Sequence, residues 1–430
     1  MARTRIVATI GPASRDEVVI AALVTAGVAV FRMNFSHGTQ AEHAATIATI
    51  RRVTRGRHTA ILQDLGGPKL RLTQPVRGRG GDIVELTMPS NVRPGDPVLL
   101  ADGLMQLEVV DAGHARVIVG GAIPAGKGMN LPSSHLEIPS LTAKDEDDLR
   151  FGVEHGVDLV AVSFVRRADD LAPVRATGLP VVAKIETAHA VTRMTEIVAA
   201  ADAIMVARGD LGVEIPIERV PVVQKELITL ANRAAKPVIT ATQMLRSMVD
   251  GLVPTRAEAT DVANAVLDGT DAVMLSEETA VGRYPVEAVQ MMARVTARAE
   301  EMLTPRTWEP GPEAADVIAD AACETAARLG AGAIVVPTRT GATVRRVARR
   351  RPRIPVVALT PDDAIRRRLS LVWGVTAITA PWPAADVGTL LGHFRTPLRA
   401  TGLVADGAPV VVTAGWPIAG TTNLLHVTRL

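Results

Sequence analysis

Eight short apolar runs, most of them rich in β-branched residues, recur through the first two thirds of this 430-residue chain, and they constrain its fold more than any other feature. They read RIVATI, VAVFRM, TAILQ, VDLVAVSF, PVVAK, AIMVA, PVIT and DAVML. Alanine-rich helical stretches separate most of them, among them VVIAALVTAG, AEHAATIATIRRV and VVQKELITLANRAA. Strands alternating with helices predict a parallel sheet. Eight such units predict a (β/α)8 barrel, the TIM architecture, in which chemistry sits at the C-terminal ends of the strands.

Polar side chains fall at those ends. Arg32 and Asn34 close run two, Asp64 run three and Ser163 run four, followed by Lys184 and Glu186, Arg208 and Asp210, Thr242, and Ser276. A barrel without a site at its mouth would scatter such residues over both strand ends.

The alternation breaks between runs three and four. Residues 72–132 contain Gly80-Gly81, Pro94-Gly95, Gly120-Gly121 and Gly126 among the short runs DIVELT, PVLLAD, MQLEVV and ARVIV. This pattern predicts a small β domain inserted as a lid over the barrel mouth. After the helical VEAVQMMARVTARAEEML, the prolines and glycine of TPRTWEPGPEA read as a linker. Helices around 313–329 and 341–350 and strands AIVVP, VVALT and PVVVTA then predict a third, α/β domain. The expected division is barrel 1–71, lid 72–132, barrel 133–304 and C-terminal α/β regulatory domain 312–430.

Composition excludes several functions. No apolar stretch approaches the roughly 20 residues needed to cross a bilayer, so no membrane partner is expected. The start MARTRIVATIGPAS turns to Gly11-Pro12 before a secretory apolar segment develops, and the single cysteine, Cys323, builds no internal disulfide framework, so the cytoplasm is the expected compartment. With 47 basic and 45 acidic residues, the net charge of +2 argues against nucleic acid as a partner. Only Lys69, Lys127, Lys144, Lys184, Lys225 and Lys236 are lysines, so a lysine in a cleft points to chemistry that wants a compact ammonium.

In VVAKIET, Lys184 and Glu186 stand two apart on a strand and therefore face the same way, into the barrel mouth. Taken alone, the pair reads first as a structural salt bridge, since such lysine–glutamate pairs are common. The next unit changes that balance: AIMVARGDLGVEIP runs from a strand into Arg208-Gly209-Asp210-Leu211-Gly212, with a helical turn expected afterwards. Asp210 can join Glu186 as an oxygen ligand for Mg2+ or Mn2+, while free amides at the turn can hold an anion. VFRMNFSHG adds Arg32 for a phosphate and Asn34, Ser36 and His37 as short polar groups, His37 by itself reading as an ordinary loop residue. Two carboxylates, a lysine and amides together suit a phosphorylated carboxylate.

These residues carry a close resemblance to the pyruvate kinase family. TRIVATIGPAS, GVAVFRMNFSHG, KGMNLP, SLTAKDEDDLRFG, KIET, ADAIMVARGDLGVEIP, KPVITATQML, PTRAEATDVANAVLDGTDAVMLSEETAVGRYPVEAV and GTTNLLHV resemble it in order over nearly the whole chain. The resemblance implies a barrel with an inserted lid and a C-terminal α/β domain, and transfer of the phosphoryl group of phosphoenolpyruvate to ADP, giving pyruvate and ATP in glycolysis. It implies catalytic roles for Lys184, Arg32 and Thr242. Phosphoenolpyruvate would be bound by Arg32, Lys184, Gly209, Asp210 and Thr242, and Mg2+ or Mn2+ by Glu186 and Asp210. Asn34, Ser36, His37, Arg71 and Lys127 would lie on the nucleotide side, and a water relay near Thr242 and Ser276 would protonate the enolate. A homotetramer is expected on the same ground.

Four departures stand out. Where the commoner pattern is DTKGPEIR, this chain has Asp64-Leu65-Gly66-Gly67-Pro68-Lys69-Leu70-Arg71. The monovalent-cation region, Asn34, Ser36, Asp64 and Lys69, thereby gains an ammonium, and K+ is not expected to be required. Ala101-Asp102-Gly103 has one acid where two are frequent, SEET at 276–279 replaces SGET, and the lid is short. A metal-dependent pyruvate or enolate lyase or aldolase is the competing enzyme class, separable by ADP dependence, and a non-catalytic regulatory paralogue is the other alternative. In the third domain Thr338, Thr340, Gly341 and Thr343 resemble an effector phosphate loop for a phosphorylated effector, or else form a plain strand-to-helix cap. The basic run RRVARRRPR at 345–353 reads as a solvated helix face, with an anionic effector as its alternative role.

Overall fold

The computed structural model describes residues 2–132, 138–308, 311, 313–380, 387–415 and 421–430. The expected barrel restart at 133, linker positions 309, 310 and 312 (the last also the expected start of the third domain) and the first residue of GTTNLLHV lie outside the described residues.

All eight apolar runs form strands: β1 (Arg5–Ile10), β2 (Val28–Asn34), β3 (Ala60–Asp64), β4 (Leu159–Val162), β5 (Val181–Ile185), β6 (Ala203–Ala207), β7 (Val238–Ala241) and β8 (Ala272–Leu275). Each pairs in parallel with its sequence neighbour, and β8 returns to β1 through Arg5 opposite Ala272, which closes the barrel. Period-two alternation divides every strand between two cores. Val7, Val30, Leu62, Val182 and Met205 fill the lumen, while Ile6, Phe31, Ile61, Val181 and Ile204 pack against the surrounding helices. On β5 the inward set is Val182 and then Lys184, so the strand that buries one apolar side chain in the barrel sends the next polar one to its mouth.

Between β3 and β4 the antiparallel strands Ile83–Glu85, Pro97–Leu100, Met105–Asp111, His114–Val119 and Met129–Asn130 form one small sheet. It encloses its own core around Val98, Leu100, Met105, Leu107 and Val117. The C-terminal sheet has five strands where three were expected. To β9 (Ala333–Pro337), β10 (Val356–Thr360) and β12 (Pro409–Gly415) it adds β11 (Val375–Thr379) and β13 (Thr422–Arg429), in the order β11-β10-β9-β12-β13. Both added strands lie at the sheet edges, where half-exposed faces leave little apolar pattern to read; β13 alone runs antiparallel. Among the described residues no helix is long and apolar enough to cross a membrane.

The basic run 345–353 is not a solvated helix face. Its helix ends at Ala348, and the arginines that follow turn into the junction beneath the barrel floor. Arg351 pairs with Asp271 at 2.9 Å, donates to the Gly269 carbonyl at 2.6 Å and to Asn232 at 2.9 Å, and is almost wholly buried. Arg349 pairs with Asp316 and donates to the Arg233 carbonyl, both at 2.9 Å. Sequence pattern assigned these charges to water because arginine is rarely buried; each is buried here because a carboxylate and a helix-end carbonyl meet it. Breaking such a pair leaves the partner charge uncompensated, at a cost of about 3–5 kcal/mol. Arg351→Ala is therefore expected to lower stability by about that amount in chemical denaturation of the full chain. A loss under about 0.5 kcal/mol, the range of ordinary surface changes, would show that Arg351 does not fasten the domains.

Candidate active site

A buried chain of alternating charges crosses the barrel mouth. Arg32, at the end of β2, bonds through Nε to Asp64 Oδ2 at 2.6 Å and through Nη1 to Thr9 Oγ1 at 3.0 Å. Asp64, ending β3, is also 3.4 Å from Lys184 Nζ. Lys184 donates to Ser163 Oγ at 2.7 Å and lies 3.3 Å from Glu186 Oε2. Ser163 in turn donates to the Leu65 carbonyl at 2.7 Å. Thus β2, β3, β4 and β5 each contribute one polar end to a single network.

Burial sets the electrostatics. It would push Asp64 upward, but Arg32 and Lys184 together hold its carboxyl below the usual range. It works against the ammonium of Lys184 too, yet Asp64 and Glu186 keep that pKa above the ordinary lysine value. Glu186 is the exception: burial pushes it up to about 7, and the attraction of Lys184 does not offset that, with Asp210 adding repulsion. One Glu186 oxygen accepts the Phe164 N–H at 2.7 Å. That amide is aimed by a backbone φ of 54° at Phe164, a strained value for an aromatic residue. The other oxygen, Oε2, is buried without a hydrogen-bond partner.

Asp210 lies on the helix Arg208–Glu214, which begins at Arg208, earlier than the turn expected after Gly212. The reason is Arg208: it pairs with Asp261 at 2.6 Å and donates to the Thr242 carbonyl at 2.7 Å, so it holds the first turn directly on the end of β6. Gly209 N–H then reaches Thr242 Oγ1 at 2.7 Å. Thr242 and Gln243 both have left-handed backbone, φ 69° and 55°, which costs on the order of 1–3 kcal/mol each and is held by this clamp. Strain concentrated at a strand end is characteristic of functional sites.

Lys69 does not share a contact with Asn34, Ser36 and Asp64 as grouped from sequence. Its ammonium pairs with Asp210 at 2.9 Å and lies 5.9 Å from the Phe164 ring centre. The four-carbon side chain carries the charge from the lid stem to the acidic pair, a reach that sequence position alone does not reveal. Leu65 is buried and offers the network only its carbonyl. Glu277, the unusual residue of SEET, pairs with Arg246 at the surface, whereas Glu278 anchors the loop by accepting from the Ser276 and Leu245 amides.

Among the described residues the remaining candidates make no side-chain bond to this network, although Asn34 stands opposite Asp64 in the β2–β3 register. Asn34 caps its own turn by accepting from the Ser36 N–H at 3.2 Å; with the exposed His37 it lines a cavity of about 210 Å3 whose other walls include Pro12, Arg15, His43 and Val281. Arg71 and Lys127 are exposed on the two lid stems, Arg71 donating to the Gly126 carbonyl at 3.0 Å. In the third domain Thr338 accepts from the Gly341 N–H at 2.8 Å, which closes the loop on itself, while Thr343 bonds to Thr422 and ties the loop to β13. Sequence reasoning missed Thr9, the second partner of Arg32, and the bond from Asn130 on the lid to Glu214 at 3.0 Å. Neither belongs to a recognisable charge pattern.

The donor set suits a hard divalent cation. Glu186 offers a buried oxygen lacking a hydrogen bond, Asp210 a carboxylate that among the described residues is held only by Lys69, and Mg2+ is commonly bound by one or two carboxylates with substrate phosphates completing the shell. Among the described residues no group of three or more acids, histidines or cysteines forms a self-sufficient metal cage. The arrangement can therefore hold a metal jointly with an anionic substrate.

Two family models match the chain: "Pyruvate kinase, barrel domain" over residues 1–88 and 82–289, and "Pyruvate kinase, alpha/beta domain" over 316–428. The pyruvate kinase of Geobacillus stearothermophilus is 43% identical over 99% of this chain and 80% of its own length, and that of Sporosarcina psychrophila 41% over the same shares. A pyruvate kinase of Agrobacterium vitis is 41% identical over 100% of this chain and 97% of its own.

Removing either carboxylate of the pair should weaken divalent binding. Glu186→Gln and Asp210→Asn are each expected to raise the Mn2+ dissociation constant at least tenfold in calorimetric titration with substrate present. Unchanged affinity in both would place the metal elsewhere.

Proposed function

The chain belongs to the pyruvate kinase family of phosphotransferases, and from that premise we propose that it moves the phosphoryl group of phosphoenolpyruvate onto ADP, releasing pyruvate and ATP as a step of glycolysis in the cytoplasm. The observation that carries the reading is the balance of charge at the mouth: Arg32, Lys184 and Lys69 stand against Asp64, Glu186 and Asp210. A site already neutral takes up a divalent cation most favourably together with a highly anionic substrate.

In this reading Arg32 grips the phosphate, and Lys184 neutralises charge developing on the transferring phosphoryl group and on the enolate. Positioning and charge neutralisation are the main devices available for such a transfer. A divalent ion, Mg2+ or Mn2+, held by Glu186 and Asp210 would supply Lewis-acid stabilisation of the phosphate and enolate oxygens. The Gly209 amide and Thr242 hydroxyl, now bonded to each other, would turn to the substrate carboxylate. Asn34, Ser36 and His37 would face the nucleotide beside the cavity of about 210 Å3, with Arg71 and Lys127 approaching from the lid. The Ser276 hydroxyl, buried without a hydrogen-bond partner, suits a water relay with Thr242 that protonates the enolate. The loop of Thr338, Thr340, Gly341 and Thr343 would take a phosphorylated effector, and the chain would assemble as a homotetramer.

A lyase or aldolase acting on pyruvate enolates would share the metal and lysine but not the need for a nucleotide. Pyruvate release from phosphoenolpyruvate and Mg2+ is expected only when ADP is present; equal release without ADP would contradict the kinase reading. In the same assay Lys184→Met is expected to lower kcat by at least about 100-fold, the scale of removing one preorganised charge, with circular dichroism unchanged. Near-normal turnover by the folded variant would remove Lys184 from the chemistry.

We further propose that no monovalent cation is required. Lys69 supplies a fixed positive charge at the mouth, and like-charge repulsion disfavours K+ beside it. Rates in sodium, tetramethylammonium and potassium buffers of equal ionic strength should agree within about twofold, with K+ dependence emerging in Lys69→Glu. Large, saturable activation of the unmodified chain by K+ would overturn this.

A further inference from the structure

The segment leading into β3 reads VTRGRHTA, and its one histidine, His58, stands among arginines at the floor of the barrel. The turn that carries it is closed by the Arg57 N–H, which donates to the Thr54 carbonyl at 2.8 Å. The helix Asp363–Arg368 of the C-terminal domain packs on this turn. Three arginines cross the contact, in both directions. Arg366 donates to the Gly56 carbonyl at 2.7 Å, Arg367 pairs with Asp158 at 2.8 Å, and Arg5 on β1 donates to the Val372 carbonyl at 2.9 Å.

His58 sits between two of these cations. The charges that act on it most strongly are Arg5 and Arg366, and its ring bonds to the backbone of Leu369 and Arg366. Its Nε2 is buried without a hydrogen-bond partner. A neutral imidazole tolerates this arrangement, because one ring nitrogen carries no proton; an imidazolium adds a second N–H and a charge. Burial first, then repulsion by Arg5 and Arg366, hold its pKa well below the ordinary histidine value, and the two backbone bonds do not offset them.

The acids of the surrounding elements are engaged with other groups. Asp158, before β4, accepts the Ile61 N–H at 2.8 Å and pairs with Arg51, on the helix Gln40–Val53, at 2.9 Å as well as with Arg367. Asp363 pairs with Arg366 at 3.0 Å. Glu300 and Asp271 act on Arg5 from its other neighbours. The further charges nearby are cations: Arg55 and Arg57, exposed on the turn, and Arg368, whose Nε is buried without an acceptor.

We propose that His58 is an acid-sensitive release for the C-terminal domain: neutral, it lets Arg5 and Arg366 close the junction, and protonated, it becomes a third cation that opens the contact between residues 54–58 and 366–372. Burial fixes the direction. With the contact open, the ring is in water and titrates at about 6.5; closed, it titrates lower. Above the open-state value both forms are neutral and the contact is at full strength. As pH falls below it, the open form takes up the proton first, and closure weakens until the closed-state pKa is reached. The device needs nothing from the barrel mouth.

Hydrogen–deuterium exchange of the full chain at pH 7.5 and pH 5.5, corrected for the intrinsic pH dependence of amide exchange, tests this. Peptides covering 54–58 and 366–372 are expected to exchange at least fivefold faster at pH 5.5, while lid residues 97–107 change less than twofold. In His58→Gln, which keeps a neutral polar side chain, the acceleration should fall below twofold. Should that variant fail to fold, Arg366→Gln stands in: removing one neighbouring cation raises the closed-state pKa, and the acceleration should at least halve. An acceleration under twofold in the unmodified chain overturns the proposal without any variant. So does an acceleration that persists in full in His58→Gln or Arg366→Gln, or one shared equally by the lid.

Discussion

The buried Arg32–Asp64–Lys184 chain holds the candidate site together, because no charge in it is tolerable at its depth without its neighbours. An ammonium and a carboxylate removed from water each lose solvation worth several kcal/mol. They persist here because Arg32, Ser163 and Glu186 supply the remaining bonds. A closed barrel makes this possible: side chains from four different strands converge only if the strands are tilted around one axis and each ends at the same rim. The catalytic candidates are therefore products of barrel closure as much as of their own motifs.

The arginines of the C-terminal domain follow the same rule in two ways. Arg351 and Arg349 go under the barrel because Asp271, Asp316 and the helix-end carbonyls of Gly269 and Arg233 receive them, and they make the junction. Among the described residues Arg345 and Arg368 have no carboxylate within 4.0 Å, and they border a cavity between the domains. Paired charges fasten the two domains.

Much of this was legible in the sequence. The eight apolar runs announced the barrel because a strand buried on both faces must be apolar along its length, and Lys184 and Glu186 announced a shared side because strand periodicity is two. The lid strands were legible from their glycines and short runs. What escaped reading depended on long side chains and on edges. Lys69 could not be assigned to Asp210 from its position, since a lysine spans several ångströms in any direction. The run at 345–353 looked solvent-facing because its acids, Asp271 and Asp316, are distant in sequence. Strands β11 and β13 were missed because edge strands expose one side. The helix at Arg208 began early because its cap is an arginine clamp to β7 and Asp261, not a local capping residue.

The central claim is that Glu186 and Asp210 form one metal-binding pair, with Lys69 holding Asp210 until the ion arrives. Anomalous diffraction from crystals grown with Mn2+ and phosphoenolpyruvate measures this directly. The account expects a single strong manganese peak in contact with both carboxylates and the substrate phosphate, with Lys69 no longer bonded to Asp210. A peak away from Glu186, or an intact Lys69–Asp210 pair beside bound metal, would contradict it.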